Sequence, residues 1–218
     1  FMVAILSPAK TLDFKTNYSS SNYTIPDYIE DSEVLSDELK KINEDDLSTL
    51  MSLSPALSKL NFQRYQDWNS DFNLSNSRQS ILCFKGGVYV GLDIDSFSEE
   101  DVVSSQDNLR ILSGLHGVLK PLDLIKPYRL EMGTKLKTQR GKNLYEFWGN
   151  KITHALNVAI QKSSSKFLLN LASNEYFSSI NSSNINADIV DVKFLDKKKD
   201  VYKTISFFSK KARGTMAA

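Results

Sequence analysis

The sequence predicts an α+β fold in which a mixed β-sheet is flanked by helices. Short apolar runs typical of buried strands alternate along the chain with stretches of helical spacing. Two strand-like runs near the end, 189–195 and 201–208, are separated by a short charged segment and predict a terminal β-hairpin. With 218 residues, 41% hydrophobic and 24% charged, the chain is long enough to bury a sizeable core.

The first quarter of the chain predicts one strand followed by helices. The apolar run 2–6 is stopped by a Ser-Pro pair, which indicates a buried strand that ends in a turn. The stretch 16–27 is rich in Ser, Asn and Tyr and predicts an irregular surface excursion. Helical spacing covers 34–51, and a proline at the first helical position begins a further helix over 55–65.

The segment 37–68 predicts two compact helices joined by a tight connection. Such a pair suggests a helix-hairpin-helix, the motif that grips DNA phosphates with the backbone amides of its hairpin. That motif needs glycine where the backbone turns close to a phosphate, and this segment contains none. The residues therefore favour an ordinary helical pair that packs on the core, with the helix-hairpin-helix as the alternative.

The middle of the chain predicts strands around a glycine-rich turn. The runs 81–84 and 88–92 are apolar and β-forming, and a Lys-Gly-Gly sequence separates them. The acidic run 99–109 indicates a short helix that leads into a strand over 109–112.

The later elements are a long helical face and one more strand. Apolar residues over 143–160 are spaced as one face of a helix, and 167–171 predicts a buried strand. No internal repeat or low-complexity linker divides the chain. We therefore expect residues 2–218 to form a single domain, with the helical pair 37–68 as a subdomain.

Charge is distributed unevenly, although the formal net charge is only +1. Residues 27–46 carry nine acids against two lysines, whereas 110–142 and 193–213 each carry eight basic residues against two acids. If the two basic segments lie on one face, they form a positive surface suited to phosphates. The alternative is that each is a solvated face with counter-charges nearby.

Composition also argues against several classes of protein and site. No apolar run approaches the roughly 18 residues of a membrane helix, so we expect a cytoplasmic protein without a membrane partner. The single cysteine, Cys83, excludes an intramolecular disulfide and a multi-cysteine zinc site. With only two histidines, His116 and His154, a histidine-rich metal site is disfavoured, and we infer no metal and no cofactor.

The strong catalytic signatures are absent from the sequence. It contains no Walker loop, GxGxxG, HExxH or GxSxG motif. We therefore assign no catalytic residue. The absence of these motifs favours a protein that is not an enzyme, but it does not decide whether the protein catalyses a reaction.

Polar side chains follow four of the predicted strands, where open sheets usually present their binding groups. We expect these side chains to converge: Lys10 and Asp13; Ser113 and His116; Asn174 and Glu175; and Lys210, Lys211 and Arg213. In the segment 127–136, Arg129 and Glu131 share one face of an extended chain, where they pair with each other or frame an anionic ligand. His116 carries the side chain that exchanges a proton most readily near neutral pH.

Four strings of residues carry a family resemblance: SPAKTLD at 7–13, SGLHGVLKPLD at 113–123, PYRLEMGTKL at 127–136 and KKARGTMA at 210–217. Through them the chain resembles, along nearly its whole length, the YaaA family of bacterial peroxide-stress proteins. The resemblance implies a DNA-binding protein that limits iron-driven damage to DNA. It also implies a helix-hairpin-helix-like element within 37–68 and a positive cleft made by Lys10, Arg129, Lys135, Lys210, Lys211 and Arg213.

Two functions compete at this point. The first is non-catalytic binding of duplex or branched DNA through phosphate contacts, largely without sequence preference and without an obligate protein partner. The second is an enzyme that acts on a nucleotide or nucleobase-like small molecule in a polar pocket. Members of the resembled family continue beyond the last matching string, so we expect their C-terminal extension to be absent from this chain.

Overall fold

The computed structural model describes residues 2–16, 21–198 and 200–218. The strands in chain order are β1 (Val3–Leu6), β2 (Thr11–Leu12), β3 (Arg78–Gln79), β4 (Phe84–Lys85), β5 (Leu109–Ser113), β6 (Gly117–Leu119), β7 (Leu124–Ile125), β8 (Phe167–Leu171), β9 (Asp188–Asp191), β10 (Asp196–Lys198) and β11 (Val201–Lys203). The helices are α1 (Ile29–Lys40), α2 (Glu44–Met51), α3 (Pro55–Asp67), α4 (Ser80–Cys83), α5 (Gly87–Leu92), α6 (Glu99–Asn108), α7 (Leu144–Trp148), α8 (Lys151–Lys162), α9 (Asn174–Phe177) and α10 (Ser206–Ala217).

A five-stranded mixed sheet forms the centre of the fold, in the order β6-β5-β1-β8-β9. Strand β1 pairs in parallel with β5 and β8, and β9 pairs in parallel with β8. Strand β6 is antiparallel to β5 and forms one edge. The predicted α+β fold with a mixed sheet is therefore confirmed.

The central strands correspond to the short apolar runs that are easiest to recognise as buried strands in the sequence. Strand β5 is buried along its whole length, and Ile5 and Leu6 of β1 are fully buried. Parallel strands are covered on both faces, so their sequences read as nearly continuous hydrophobic runs. The strands predicted at 2–6, 109–112 and 167–171 are found as β1, β5 and β8.

Several of the predicted elements differ in the structure. The runs 81–84 and 88–92, predicted as strands, are largely the short helices α4 and α5, because a short buried apolar run suits either conformation. The run 189–195 begins with β9 of the main sheet, and the terminal hairpin is formed by β10 and β11 instead. The predicted strand 201–208 is β11 only over its first three residues, and its end belongs to α10. The helical face over 143–160 is split into α7 and α8 at Gly149, whose φ of 49° ends the first helix.

The segment 37–68 contains the end of α1 together with α2 and α3. Ser52, with a φ of 51°, ends α2, and the Ser54 hydroxyl accepts a hydrogen bond from the Leu57 amide and caps α3. Its assignment as a helix-hairpin-helix stays a prediction. Residues 17–20 of the predicted excursion and residue 199 of the predicted hairpin lie outside the described residues.

Helices α5 and α10 cross with their backbones in close approach. A Cβ atom placed on Gly214 would lie 1.7 Å from the Val88 carbonyl oxygen, and one on Gly91 would lie 1.9 Å from that of Lys211. Only glycine fits at both positions. The Thr215 hydroxyl donates a hydrogen bond of 3.1 Å to the Gly91 carbonyl and strengthens the crossing.

Strand β1 is a topological switch point. The chain leaves β1 for β5 on one side, whereas β8 lies on the other side, and all three strands run in the same direction. In open sheets of this kind, ligands bind in the crevice at the carboxyl ends of the strands next to such a point. Within the described ranges, no helix combines the length and the hydrophobicity needed to span a membrane.

Candidate functional site

A cleft of about 470 Å³ opens at the carboxyl ends of β1 and β8. Its walls come from parts of the chain that are far apart in sequence: the loop 7–11 after β1, the stretch 85–89, the extended segment 128–131, residues of the turn into α9, and one face of α10. The site therefore lies where the sheet topology predicts a ligand crevice.

Hydrogen bonds hold the two strand ends of the cleft in register. The hydroxyl of Ser7, after β1, accepts a bond of 2.8 Å from the amide of Ser173, which follows β8. The carbonyl of Ser7 accepts a bond of 3.1 Å from the Tyr89 hydroxyl of α5. The floor is therefore organised by the protein itself before any ligand binds.

Three buried tyrosines, Tyr89, Tyr128 and Tyr176, line the cleft. Burial raises the pKa of each phenol, so all three are neutral near physiological pH. They give the interior an apolar lining with hydroxyl groups. Anionic groups in the wall come from carboxylates alone.

Five cationic side chains line the cleft against two carboxylates: Lys10, Lys85, Arg129, Lys210 and Arg213 against Glu131 and Glu175. The positive excess is the dominant electrostatic feature of the site. A concave surface of one sign concentrates oppositely charged ligands.

Glu131 holds two of these cations. Its Oε1 atom lies 3.0 Å from the Nζ of Lys10 and 3.0 Å from an Nη of Arg129. The predicted pairing of Arg129 with Glu131 is present, and Lys10 joins it. Both cations are thus positioned at the wall by one carboxylate that they share.

Arg213 presents a different arrangement. Its side chain is partly buried, and burial lowers the pKa of its guanidinium, which nevertheless stays cationic. In the part of the chain that the structure describes, no carboxylate lies within 4.0 Å of it. A partly desolvated cation without a counter-ion favours an anionic ligand.

The structure brings six of the predicted site residues together in this cleft: Lys10, Arg129, Glu131, Glu175, Lys210 and Arg213. Glu175 also accepts a hydrogen bond of 2.9 Å from the Gly133 amide, which fixes the rim. Lys135, Lys211 and Asn174 are exposed and do not line the cleft.

Asp13 lies outside the cleft and forms hydrogen bonds with residues that follow it closely in the sequence. Its carboxylate accepts hydrogen bonds from the Thr16 hydroxyl and from the amides of Thr16 and Lys15. These hydrogen bonds lower the pKa of Asp13 to about 2, and the bond from the Thr16 hydroxyl has the largest effect. Asp13 therefore stabilises the turn that follows β2.

Ser113 and His116 lie in the interior instead of the cleft. Both side chains are fully buried, and the Ser113 hydroxyl is 2.7 Å from that of Tyr128. The Nδ1 of His116 lies 2.9 Å from the Ser32 hydroxyl, and aromatic rings surround the imidazole. Burial lowers the pKa of His116 to about 3, so this side chain is neutral and does not act as an acid or base in the cleft.

Sequence reasoning missed Lys85 and the three tyrosines as site residues. The available signal was the Lys-Gly-Gly turn, because glycine is needed where other segments approach closely. A Cβ on Gly87 would lie 3.0 Å from the Cβ of Lys210, and one on Gly86 would lie 3.3 Å from that of Ala9. The two glycines therefore let α10 and the loop after β1 approach each other across the site.

A second cavity of about 590 Å³ adjoins the cleft. The two share Thr11 and Lys85, which are paired directly across the β2–β4 ladder. The remaining lining residues of the second cavity are Leu12, Asp13, Phe14, Lys15, Arg64 and Pro127.

The family model described as peroxide stress protein YaaA matches residues 2–218 of the chain. Across the described residues, no group of three or more His, Cys, Asp and Glu side chains is placed to hold a metal ion.

Proposed function

Because the chain belongs to the family of peroxide stress protein YaaA and has a role in the peroxide response, we propose that it protects DNA by binding the phosphate backbone in its basic cleft. The observation that carries the proposal is the convergence of five cations from four separate parts of the chain, among them Arg213, which has no carboxylate partner among the described residues. Lysine and arginine contacts to phosphate bind DNA without reading its sequence.

The same contacts provide a physical route to protection. DNA phosphates hold a condensed layer of cations, and a protein that neutralises phosphates releases these cations to the solvent. Ferrous iron in that layer reduces hydrogen peroxide to hydroxide and a hydroxyl radical, and is itself oxidised to ferric iron. Displacing the iron moves radical formation away from the sugar and the bases.

We expect the double variant Lys210→Ala/Arg213→Ala to lose affinity for a labelled 20-base-pair duplex by roughly tenfold or more. Both side chains line the cleft from one face of α10. The slope of log affinity against log salt is expected to fall by about 0.9 for each phosphate contact removed. Fluorescence anisotropy across a salt series measures both quantities, and nicking of plasmid DNA by ferrous iron and peroxide tests whether protection falls in parallel.

Lys211→Ala is the matched control, because Lys211 lies on the same helix, is exposed and does not line the cleft. Its affinity for DNA is expected to stay close to that of the wild type. Equal losses in the control and in the double variant would mean that overall charge, and not the cleft, determines binding.

Glu131→Gln is expected to have the opposite effect and to tighten binding of the same duplex by about threefold to tenfold. The substitution keeps the side chain's shape, removes its negative charge from the cleft, and releases Lys10 and Arg129 for phosphate. Anisotropy at two salt concentrations measures the gain. Weaker binding would show that Glu131 acts by orienting the two cations and that its charge does not compete with the ligand.

A nucleotide-like small molecule is the second candidate ligand. The volume of the cleft, about 470 Å³, and its lining of three buried tyrosines are typical of small-molecule sites. A mononucleotide that binds more tightly than the duplex, with little dependence on salt, would favour this function over DNA binding.

A further inference from the structure

Arg64 is a partly buried cation without a carboxylate partner in the second cavity. Its Nη1 donates a hydrogen bond of 3.2 Å to the side-chain oxygen of Asn61, one turn earlier on α3. Among the described residues, no carboxylate lies within 4.0 Å of its guanidinium. Arg64 is therefore partly desolvated and has no neutralising neighbour in the protein.

A second cation, Arg129, also acts on Arg64. Burial is the main cause that lowers the pKa of Arg64. Tyr65 and Cys83 oppose this shift, and the positive charge of Arg129 adds to it. The Tyr65 hydroxyl donates a hydrogen bond to the Arg129 carbonyl, so α3 is fixed against the segment that lines the cleft. An anion bound beside Arg64 would offset both the burial of its guanidinium and the repulsion from Arg129.

The one acid in the second cavity does not neutralise Arg64. The Asp13 carboxylate accepts hydrogen bonds from Lys15 and Thr16. It also lies 3.7 Å from Arg78, a residue that does not line the cavity. The remaining charged side chains of the lining are the cations Lys15, Arg64 and Lys85. The second cavity is thus basic, like the cleft that it adjoins.

We propose that Arg64 forms a second phosphate subsite, and that the cleft and the second cavity together bind successive phosphates of one nucleic acid strand. The strand would cross the Thr11–Lys85 pair, which both cavities share. This inference rests on the proposed function, because it takes the ligand in the cleft to be a phosphate backbone. It assigns a ligand contact to α3 and identifies that ligand as an extended chain.

The test compares Arg64→Ala with wild type on a 20-base-pair duplex across a salt series. We expect the affinity to fall about threefold to tenfold and the salt slope to fall by about 0.9, the value for one lost phosphate contact. Arg64→Lys, which keeps the charge, is expected to restore the slope. Arg64→Gln gives the same comparison if the alanine variant is less stable, since glutamine can still donate to Asn61.

Lys59→Ala is the matched control on the same helix. Lys59 is exposed, carries the same charge and lies five residues earlier, so it faces about 140° away from Arg64 around the helix axis. The proposal is overturned if Arg64→Ala and Lys59→Ala bind alike. In that case the proposed function still stands if Lys210→Ala/Arg213→Ala loses binding, and it fails separately if the wild type does not bind DNA.

A mononucleotide, dAMP, tests whether the ligand is extended. We expect Arg64→Ala to bind dAMP as the wild type does, because one phosphate fills one subsite. An equal loss of affinity for dAMP and for the duplex would overturn the two-subsite arrangement and would place one small ligand across both cavities.

Discussion

Replacing Gly214 with alanine is expected to displace α10 from α5 and to abolish binding in the cleft. The added Cβ would lie 1.7 Å from the Val88 carbonyl oxygen and 2.6 Å from the Leu92 amide nitrogen. Both are backbone atoms, so no side chain can move aside to make room. We expect a loss of about 3 kcal/mol in the free energy of unfolding, the upper part of the usual range for overpacking.

The loss of binding follows because α10 carries Lys210 and Arg213 into the cleft. Urea denaturation, anisotropy with duplex DNA and limited trypsin digestion after Lys210 and Lys211 measure the three consequences. Gly133→Ala is the control, since its Cβ would meet the movable end of Glu175 at 3.2 Å. Wild-type stability and protease resistance in Gly214→Ala would contradict the close crossing of the two helices.

The second large effect is a pH-dependent stability difference between wild type and His116→Phe. The pKa of His116 is lowered to about 3 in the folded protein, against about 6.5 in the unfolded chain, because burial disfavours the imidazolium. Between these values the unfolded state binds the extra proton. Stability from neutral His116 is therefore fully present above pH 6.5 and is lost as the pH falls towards 3.

Phenylalanine has no proton to bind and suits a site bounded by Trp68, Phe72 and Tyr128. Relative to wild type, the variant is expected to gain about 1.4 kcal/mol per pH unit as the pH falls below 6.5. Urea denaturation of both proteins at pH 7, 6, 5 and 4.5 measures this difference. Parallel stability curves would show that folding does not lower the pKa of His116.

Comparing two proteins is necessary because Asp123 has the opposite effect. Burial raises the pKa of this carboxyl to about 6, so its folded state binds a proton that the unfolded state has lost. That contribution grows as the pH falls and is lost as the pH rises through 6. Within the wild type alone, the effects of Asp123 and His116 largely cancel between about pH 4 and 6.

Three strands of the central sheet were predictable from sequence because burial on both faces leaves a distinct pattern. The runs that became β1, β5 and β8 are short, apolar and bounded by polar turns. The runs 81–84 and 88–92 were predicted wrongly as strands, because periodicity does not separate a buried strand from a buried helical turn over a few residues. There, tertiary contacts with α10 and the shared core decide the conformation.

The cleft was predictable in part for a related reason. Position after a strand placed Lys10 and Glu175 at the edge of the sheet, whereas Lys210 and Arg213 reach the cleft from the helix α10 and do not follow a strand of the sheet. It did not reveal that Ser113 and His116, at a tight hairpin between β5 and β6, turn inwards to the core. Nor did sequence spacing show that α3 and its Arg64 lie beside the segment that carries Arg129.

The cleft unites residues that lie far apart in the chain, since Lys10 follows β1 and Arg213 lies in α10. During synthesis, β5, β8 and α10 must all leave the ribosome before β1 can complete its pairing and these cations can come together in the cleft. Folding by such long-range contacts is slow compared with folding by local ones. The cleft is therefore complete only after α10 has been synthesised and has packed against α5.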